Sequence, residues 1–178
     1  MSGPRSDTRQ RIQAVARDLF LQQGVQRTSL QDIADKLGIT KPALYYHFAS
    51  REDLVRSILV PLIDEGDQFV ADQERHGDTD VRELLQGYFD YHYRHREDLV
   101  LVLAELSALA ELGLIDKVLA WRDRLGKLVF GPRPTLEQST RAVVAFGGLQ
   151  DCCLQFPDTP YESLRTTSVE AALAALGL

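Results

Sequence analysis

Apolar residues recur at three- and four-residue intervals along most of the chain, and no stretch alternates apolar with polar at period two over a useful length. The pattern predicts an all-α protein of about nine helices. Ile12, Val15, Ala16, Leu19 and Phe20 mark one face of a first helix that starts at Ser6 or Thr8 and runs to Gln23, with Gly24 as its C-terminal cap. Thr28 and Ser29 stand where side-chain oxygens can accept from the free N–H groups of a second helix. The inward side of that helix is Leu30, Ile33, Ala34 and Leu37, and Gly38 ends it after about two turns. Thr40 caps a third short helix with Lys41 and Pro42 in its first turn, where a missing N–H costs nothing, and this helix runs to Phe48. Ser50 caps a fourth, carrying Leu54, Val55, Ile58, Leu59, Leu62 and Ile63; Pro61 and Gly66 within it predict a kink or early break near residue 61.

After a polar gap at 76–80, helical patterns cover 81 to about 95, 98 to about 109, 115–130, 136–156 and 161–176, the later ones separated by Gly113 and by proline-containing stretches at 131–134 and 157–160. No internal repeat is present. Gly147 and Gly148 lie inside one of these helices, where each costs about 1 kcal/mol relative to alanine, and they predict a close helix crossing.

Two short helices joined at a glycine, residues 30–37 and 41–48, have the layout of a helix-turn-helix, whose second helix enters the major groove of DNA. Ala34 is small where the helices would cross, and Gly38 allows a turn with positive φ. Thr40, Lys41, Tyr45, Tyr46 and His47 remain on the outer face of the second helix, a set of donors, acceptors and flat rings suited to base edges and phosphates. A solvated polar helix in a bundle would show the same periodicity. The formal net charge of -6 argues against a polyanionic partner, but its distribution does not: residues 1–56 hold nine Lys and Arg against six acids, so the first third is +3 and the rest -9.

Residues 28–54, with their core Leu44-Tyr45-Tyr46-His47-Phe48 followed by a polar cap and Arg51, resemble the N-terminal signature of the TetR (tetracycline-repressor-like) family of transcriptional regulators. The resemblance covers roughly residues 6–66; beyond them only length and helicity agree. It implies a helix-turn-helix DNA-binding domain over 6–66 and an effector-binding and dimerisation domain over 67–178. The implied protein is a homodimer, joined through the last two long helices, that is released from an inverted-repeat operator in double-stranded DNA by a small molecule; no charged residue stands out on an apolar face of the sensing half, which favours an uncharged or lipophilic one. Carried over by position, Ser29, Leu30 and Gln31 start the helix that touches the DNA backbone. Thr40, Lys41, Pro42, Ala43, Tyr45, Tyr46 and His47 belong to the recognition helix, and Arg51 matches a basic residue that holds a phosphate. Pro42 and Ala43 depart from the small polar pair that many members carry, which shifts base reading onto Lys41, Tyr45 and apolar contacts to thymine methyls.

For the sensing half, Phe69, Tyr88, Tyr91, His92, Trp121 and Phe146 could line an effector pocket, or simply fill a core. His92, His95 and Asp98 are three apart, a spacing open to a divalent metal but equally to a solvated helix face. Val143, Val144, Leu149, Leu154, Val169, Leu173 and Leu176 could form the dimer seam or face their own subunit's core. The adjacent Cys152 and Cys153 match no zinc spacing and read as reduced packing residues.

With 178 residues, 44% hydrophobic and 26% charged, the chain has the usage of an ordinary globular protein of one large or two small domains. No apolar run reaches the roughly 20 residues of a membrane span and the N-terminus lacks a secretory apolar stretch, so a cytoplasmic protein away from membranes is expected. Neither a Glu-x-x-His pair, a His-Glu-x-x-His, a phosphate-cradling glycine loop nor a nucleophile elbow occurs, so no enzyme activity, catalytic residue, metal or cofactor is expected. A helical interaction protein that keeps the fold without binding DNA is the rival reading.

Overall fold

The computed structural model describes residues 4–77, 80–104, 110 and 113–178. Among them stand nine α-helices and one 3-10 turn, with no strand: α1 (Pro4–Gln23), the turn Val25–Arg27, α2 (Leu30–Leu37), α3 (Lys41–His47), α4 (Arg51–His76), α5 (Val81–Arg94), α6 (Arg96–Ala104), α7 (Leu114–Phe130), α8 (Leu136–Gln155) and α9 (Tyr161–Leu176). The all-α expectation holds; of the helix expected over 98–109, residues 105–109 lie outside the described ones. No helix among the described residues is long and apolar enough to cross a membrane.

The chain forms two compact units. One holds residues up to Leu62 together with the segment that begins at Glu97, and the other holds Ile63–Arg96 and the residues from Gly113 onward. The first unit therefore contains most of α6, although the contiguous division read from the sequence puts α6 with the second.

In the first unit, Ile12, Ala16 and Phe20 of α1, Ile33 and Ala34 of α2, Leu44 and Phe48 around α3, and Leu54, Ile58 and Leu59 of α4 are all buried. Helix α6 adds Leu99, Leu101 and Val102 and is tied to α1 by an ion pair of 2.6 Å between Arg17 Nε and Asp98 Oδ1. Helix α4 runs unbroken through Pro61, against the expected break. The missing N–H of Pro61 leaves the Ser57 carbonyl without its helical donor. The Gln13 side-chain amide, reaching over from α1, donates to that carbonyl at 3.1 Å and to the Ser57 hydroxyl at 2.9 Å.

In the second unit, Tyr88, Phe89, Tyr91, Trp121 and Phe146 are buried together with Leu84, Leu85, Leu125 and Leu149. Gly66, which looked like a breaker, is a packing residue: a Cβ there would overlap the Trp121 ring and stand 2.7 Å from the Tyr91 hydroxyl oxygen. Gly66→Ala is therefore expected to destabilise the protein by about 1–3 kcal/mol, the usual cost of overpacking, measured by urea unfolding; an unchanged midpoint would show that Trp121 yields freely. Among the described residues of this chain, no close crossing stands at Gly147 or Gly148. Gly148 has open space beside it, Gly147 lies under the Arg122 guanidinium, and the tight approach of α7 to α8 is instead at Gly126, where a Cβ would come within 3.1 Å of the Ala142 Cβ. Asp67 accepts from Arg124 at 2.7 Å and from the Trp121 indole at 3.3 Å, and these cations and donors together hold its carboxyl below the usual range despite its partial burial.

Candidate nucleic-acid interface

Helix α2 is started by a reciprocal cap: the Ser29 hydroxyl accepts from the Asp32 N–H at 3.1 Å, and the Asp32 carboxylate accepts from the Ser29 N–H at 2.8 Å. That backbone donor holds the Asp32 carboxyl below its ordinary pKa. Thr28, expected to share the capping, is instead buried and turns back, its hydroxyl donating to the Gly24 carbonyl at 2.9 Å. Gly38, at φ 67°, ends α2: its N–H donates to Asp35 O at 3.2 Å and the Ile39 N–H to Ala34 O at 3.0 Å, the paired bonds of a Schellman turn.

Two residues later Thr40 caps α3, accepting from the Ala43 N–H at 3.3 Å, with Pro42 in the first turn. The helix is fixed by its inward side, where Leu44 and Phe48 are fully buried. Its other end is held by Arg9 of α1, whose guanidinium lies 4.1 Å from the Phe48 ring centroid and donates to the His47 carbonyl at 2.7 Å. Sequence periodicity gave no sign of Arg9, because the contact links residues 38 apart.

What this frame presents outward is Thr40, Lys41, Pro42, Ala43, Tyr45 and Tyr46, all exposed, with His47 half-buried and its ring edge-on to Tyr46. The Lys41 ammonium stands 5.9 Å from the Tyr45 ring centroid. Among the described residues it makes no ion pair, so its charge is available to an outside anion. A shallow cleft of about 350 Å³ adjoins this face and gathers six of the eleven expected DNA-contacting residues: Ser29, Leu30, Gln31, Lys41, Tyr45 and Arg51.

Three of these differ in detail from the expectation. Leu30 is a core side chain, so only its backbone can meet a ligand; helix amphipathicity points it inward with Ile33 and Ala34. The Gln31 amide donates to the Asp35 carboxylate at 2.7 Å. Arg51 is held by the 3-10 turn, donating to Gln26 O at 3.2 Å and to the Gln26 side-chain oxygen at 3.1 Å. These bonds orient its guanidinium in the cleft, and the Glu52 carboxylate lies 3.5 Å from one of its terminal nitrogens.

The aromatic residues expected to form an effector pocket do come together in the second unit, as a packed group. The Tyr88 ring lies 4.2 Å from His92, 5.2 Å from Phe146 and 6.4 Å from Phe69, and Tyr91 lies 6.1 Å from Trp121, all centroid to centroid. Burial pushes the Tyr88 hydroxyl up to about 12 and the His92 imidazole down to about 4. The three residues with metal-like spacing have separate partners: His92 Nδ1–H donates to Tyr88 O at 2.9 Å, His95 Nε2 lies 3.1 Å from a Glu65 oxygen, and Asp98 holds Arg17.

Residues 12–58, which span α2, α3 and the start of α4, match the model of the bacterial regulatory proteins of the tetR family. Among curated proteins the chain is 34% identical over 88 residues to the HTH-type transcriptional regulator TtgR of Pseudomonas putida, covering 47% of this chain and 42% of that one. It is 38% identical over 61 residues to the HTH-type transcriptional repressor KstR2 of Rhodococcus jostii, covering 34% and 30%. Both alignments thus span less than half of the relatives' own lengths. Over nearly the whole chain the fold is like that of a TetR-family transcriptional regulator from Bordetella parapertussis, with a TM-score of 0.79 at 20% identity, covering 95% of this chain and 94% of that one. Residues 12–58 thus carry the match to the tetR family, and over nearly the whole chain the fold is that of TetR-family regulators.

Proposed function

We propose that this protein is a cytoplasmic, ligand-responsive transcriptional repressor that reads an inverted-repeat operator as a homodimer and leaves it when a small lipophilic molecule binds its second unit. The observation that carries the reading is the exposed face of α3, Thr40, Lys41, Tyr45 and Tyr46, on a helix anchored by fully buried Leu44 and Phe48 and bordered by the cleft that holds Ser29 and Arg51. Lys41 and Arg51 supply phosphate-seeking charge, the N-terminus of α2 favours an anion, and the tyrosines offer a hydroxyl or a flat ring to base edges and sugars.

Dimerisation through α8 and α9 is supported by the side chains these helices leave uncovered. Leu149, Val169, Leu173 and Leu176 face their own core, whereas Val144 is exposed. A groove of about 180 Å³ beside Val144 is lined by Gly148, Cys152, Ala171 and Ala175, small residues that admit a close helix from a second copy. Two recognition helices about 34 Å apart would then meet successive major grooves. Helix α4 is continuous from Arg51 to His76 and supplies residues to both units, so a ligand that favours one placement of its C-terminal half also biases Arg51. No cofactor takes part.

Lys41→Ala tests the interface. Against an operator obtained by selection, fluorescence anisotropy should show a loss of about 1–3 kcal/mol together with a shallower salt dependence. An affinity unchanged on both operator and scrambled DNA removes Lys41 from the site.

A further inference from the structure

In the second unit a cleft of about 270 Å³ opens between α7 and α8, lined by Leu119, Arg122, Gly126, Pro134, Ala142 and Val143, with Asp123 and Ser139 at its polar side. We infer that this cleft is the effector site and that it takes a small organic acid, with the carboxylate on Arg122 and a short apolar body against Leu119, Ala142 and Val143. The inference deepens the regulator reading and rests on it for the consequence of binding.

Arg122 carries the assignment. It is half-buried, it lines the cleft, and among the described residues no carboxylate pairs with it. Its hydrogen-bond partner is neutral: one terminal nitrogen donates to the Gln150 side-chain oxygen at 3.3 Å. That bond, and the flat seat over Gly147, where even a Cβ would lie 3.6 Å from the guanidinium carbon, hold the planar fork in place with no acidic partner among the described residues. A partly buried cation without an anion is costly, and a bidentate carboxylate removes that cost while the apolar lining buries the ligand's body. The acid already in the cleft wall does not serve: the Asp123 carboxylate is taken by Lys127 at 2.6 Å. The cleft volume is at the small end for ligand sites, which favours short-chain or single-ring acids.

The test is calorimetric titration of the full-length protein with octanoate, benzoate and phenylacetate, each beside its primary amide, and the same compounds added to an anisotropy measurement of operator binding. At least one acid should bind about tenfold or more tighter than its amide and should release the DNA. Arg122→Gln should remove that binding, and Arg122→Lys, which keeps charge without the fork, should retain part of it. Ser139→Leu, which fills the cleft and leaves Arg122 intact, should also block the acid, so the assignment stays testable even where Arg122→Gln fails to fold by circular dichroism. Equal binding of acids and amides, wild-type binding in either blocking variant, or no saturation by any acid up to roughly millimolar concentration overturns the site. Acid binding without any DNA binding would instead uphold the cleft and remove the regulator reading, whereas DNA binding indifferent to every acid would do the reverse.

Discussion

Phe48→Ala is expected to cost about 3–5 kcal/mol and to abolish operator binding, although the side chain lies outside the DNA-reading face. Phe48 is fully buried at the C-terminal end of α3, its N–H donates to Leu44 O at 3.0 Å, and its ring is the platform on which Arg9 lies. Truncation leaves a cavity beneath the recognition helix and frees Arg9 from the position in which it caps the His47 carbonyl. Urea unfolding reads the loss of stability, and hydrogen exchange of the α1–α3 amides locates it. A cost under about 1 kcal/mol with intact DNA binding would mean that α3 is positioned by something other than this contact.

Acidification provides the second large effect. His92 is buried and neutral, its imidazole lowered to about 4 chiefly by desolvation, with the neighbouring Arg122 and His95 opposing a further positive charge. In the unfolded chain the same ring titrates near 6.5. As pH falls below about 6.5 the unfolded state takes the proton first, so the folded state loses stability progressively down to about pH 4; above pH 7.5 the group contributes nothing. The shift from 6.5 to about 4 corresponds to about 3 kcal/mol at the acid end. Lowered carboxylates such as Asp67 and Glu74 act in the same direction, so the difference between wild type and His92→Gln isolates the histidine. That difference should run along the pH axis between 6.5 and 4; a pH-independent difference would show that His92 is protonated in the fold or that the variant perturbs packing alone.

The helix-turn-helix was legible in the sequence because its determinants are local. Ser29, Gly38, Thr40 and Pro42 each act within four residues of their own position, and the inward stripe of α2 and α3 follows the helical repeat. What periodicity could not supply were partners distant in sequence. Pro61 read as a break because nothing in the chain announces that Gln13 will meet the orphaned Ser57 carbonyl. Gly66 and Gly147 read alike as helix irregularities, yet one is required by Trp121 and the other lies under Arg122. Helix α6 reads as part of the C-terminal half, but its Asp98 finds Arg17 in α1. In the sensing half the aromatic residues were identified correctly as a group, while whether rings leave a space or fill it is a property of three-dimensional packing. That Arg122 faces a cleft with a neutral amide partner likewise depends on a contact, to Gln150, 28 residues away.

The central claim, a dimeric reader of an inverted repeat through α3, is tested most directly by selecting full-length protein on randomised duplex DNA at about 100 mM salt and at higher salt, then sequencing the bound pool. The account predicts enrichment of an inverted repeat whose half-site centres lie about one helical turn apart, bound by two copies of the chain and lost on Lys41→Ala. A pool without enrichment at either salt, from protein that remains folded, would contradict it and assign the exposed face of α3 to a protein partner instead.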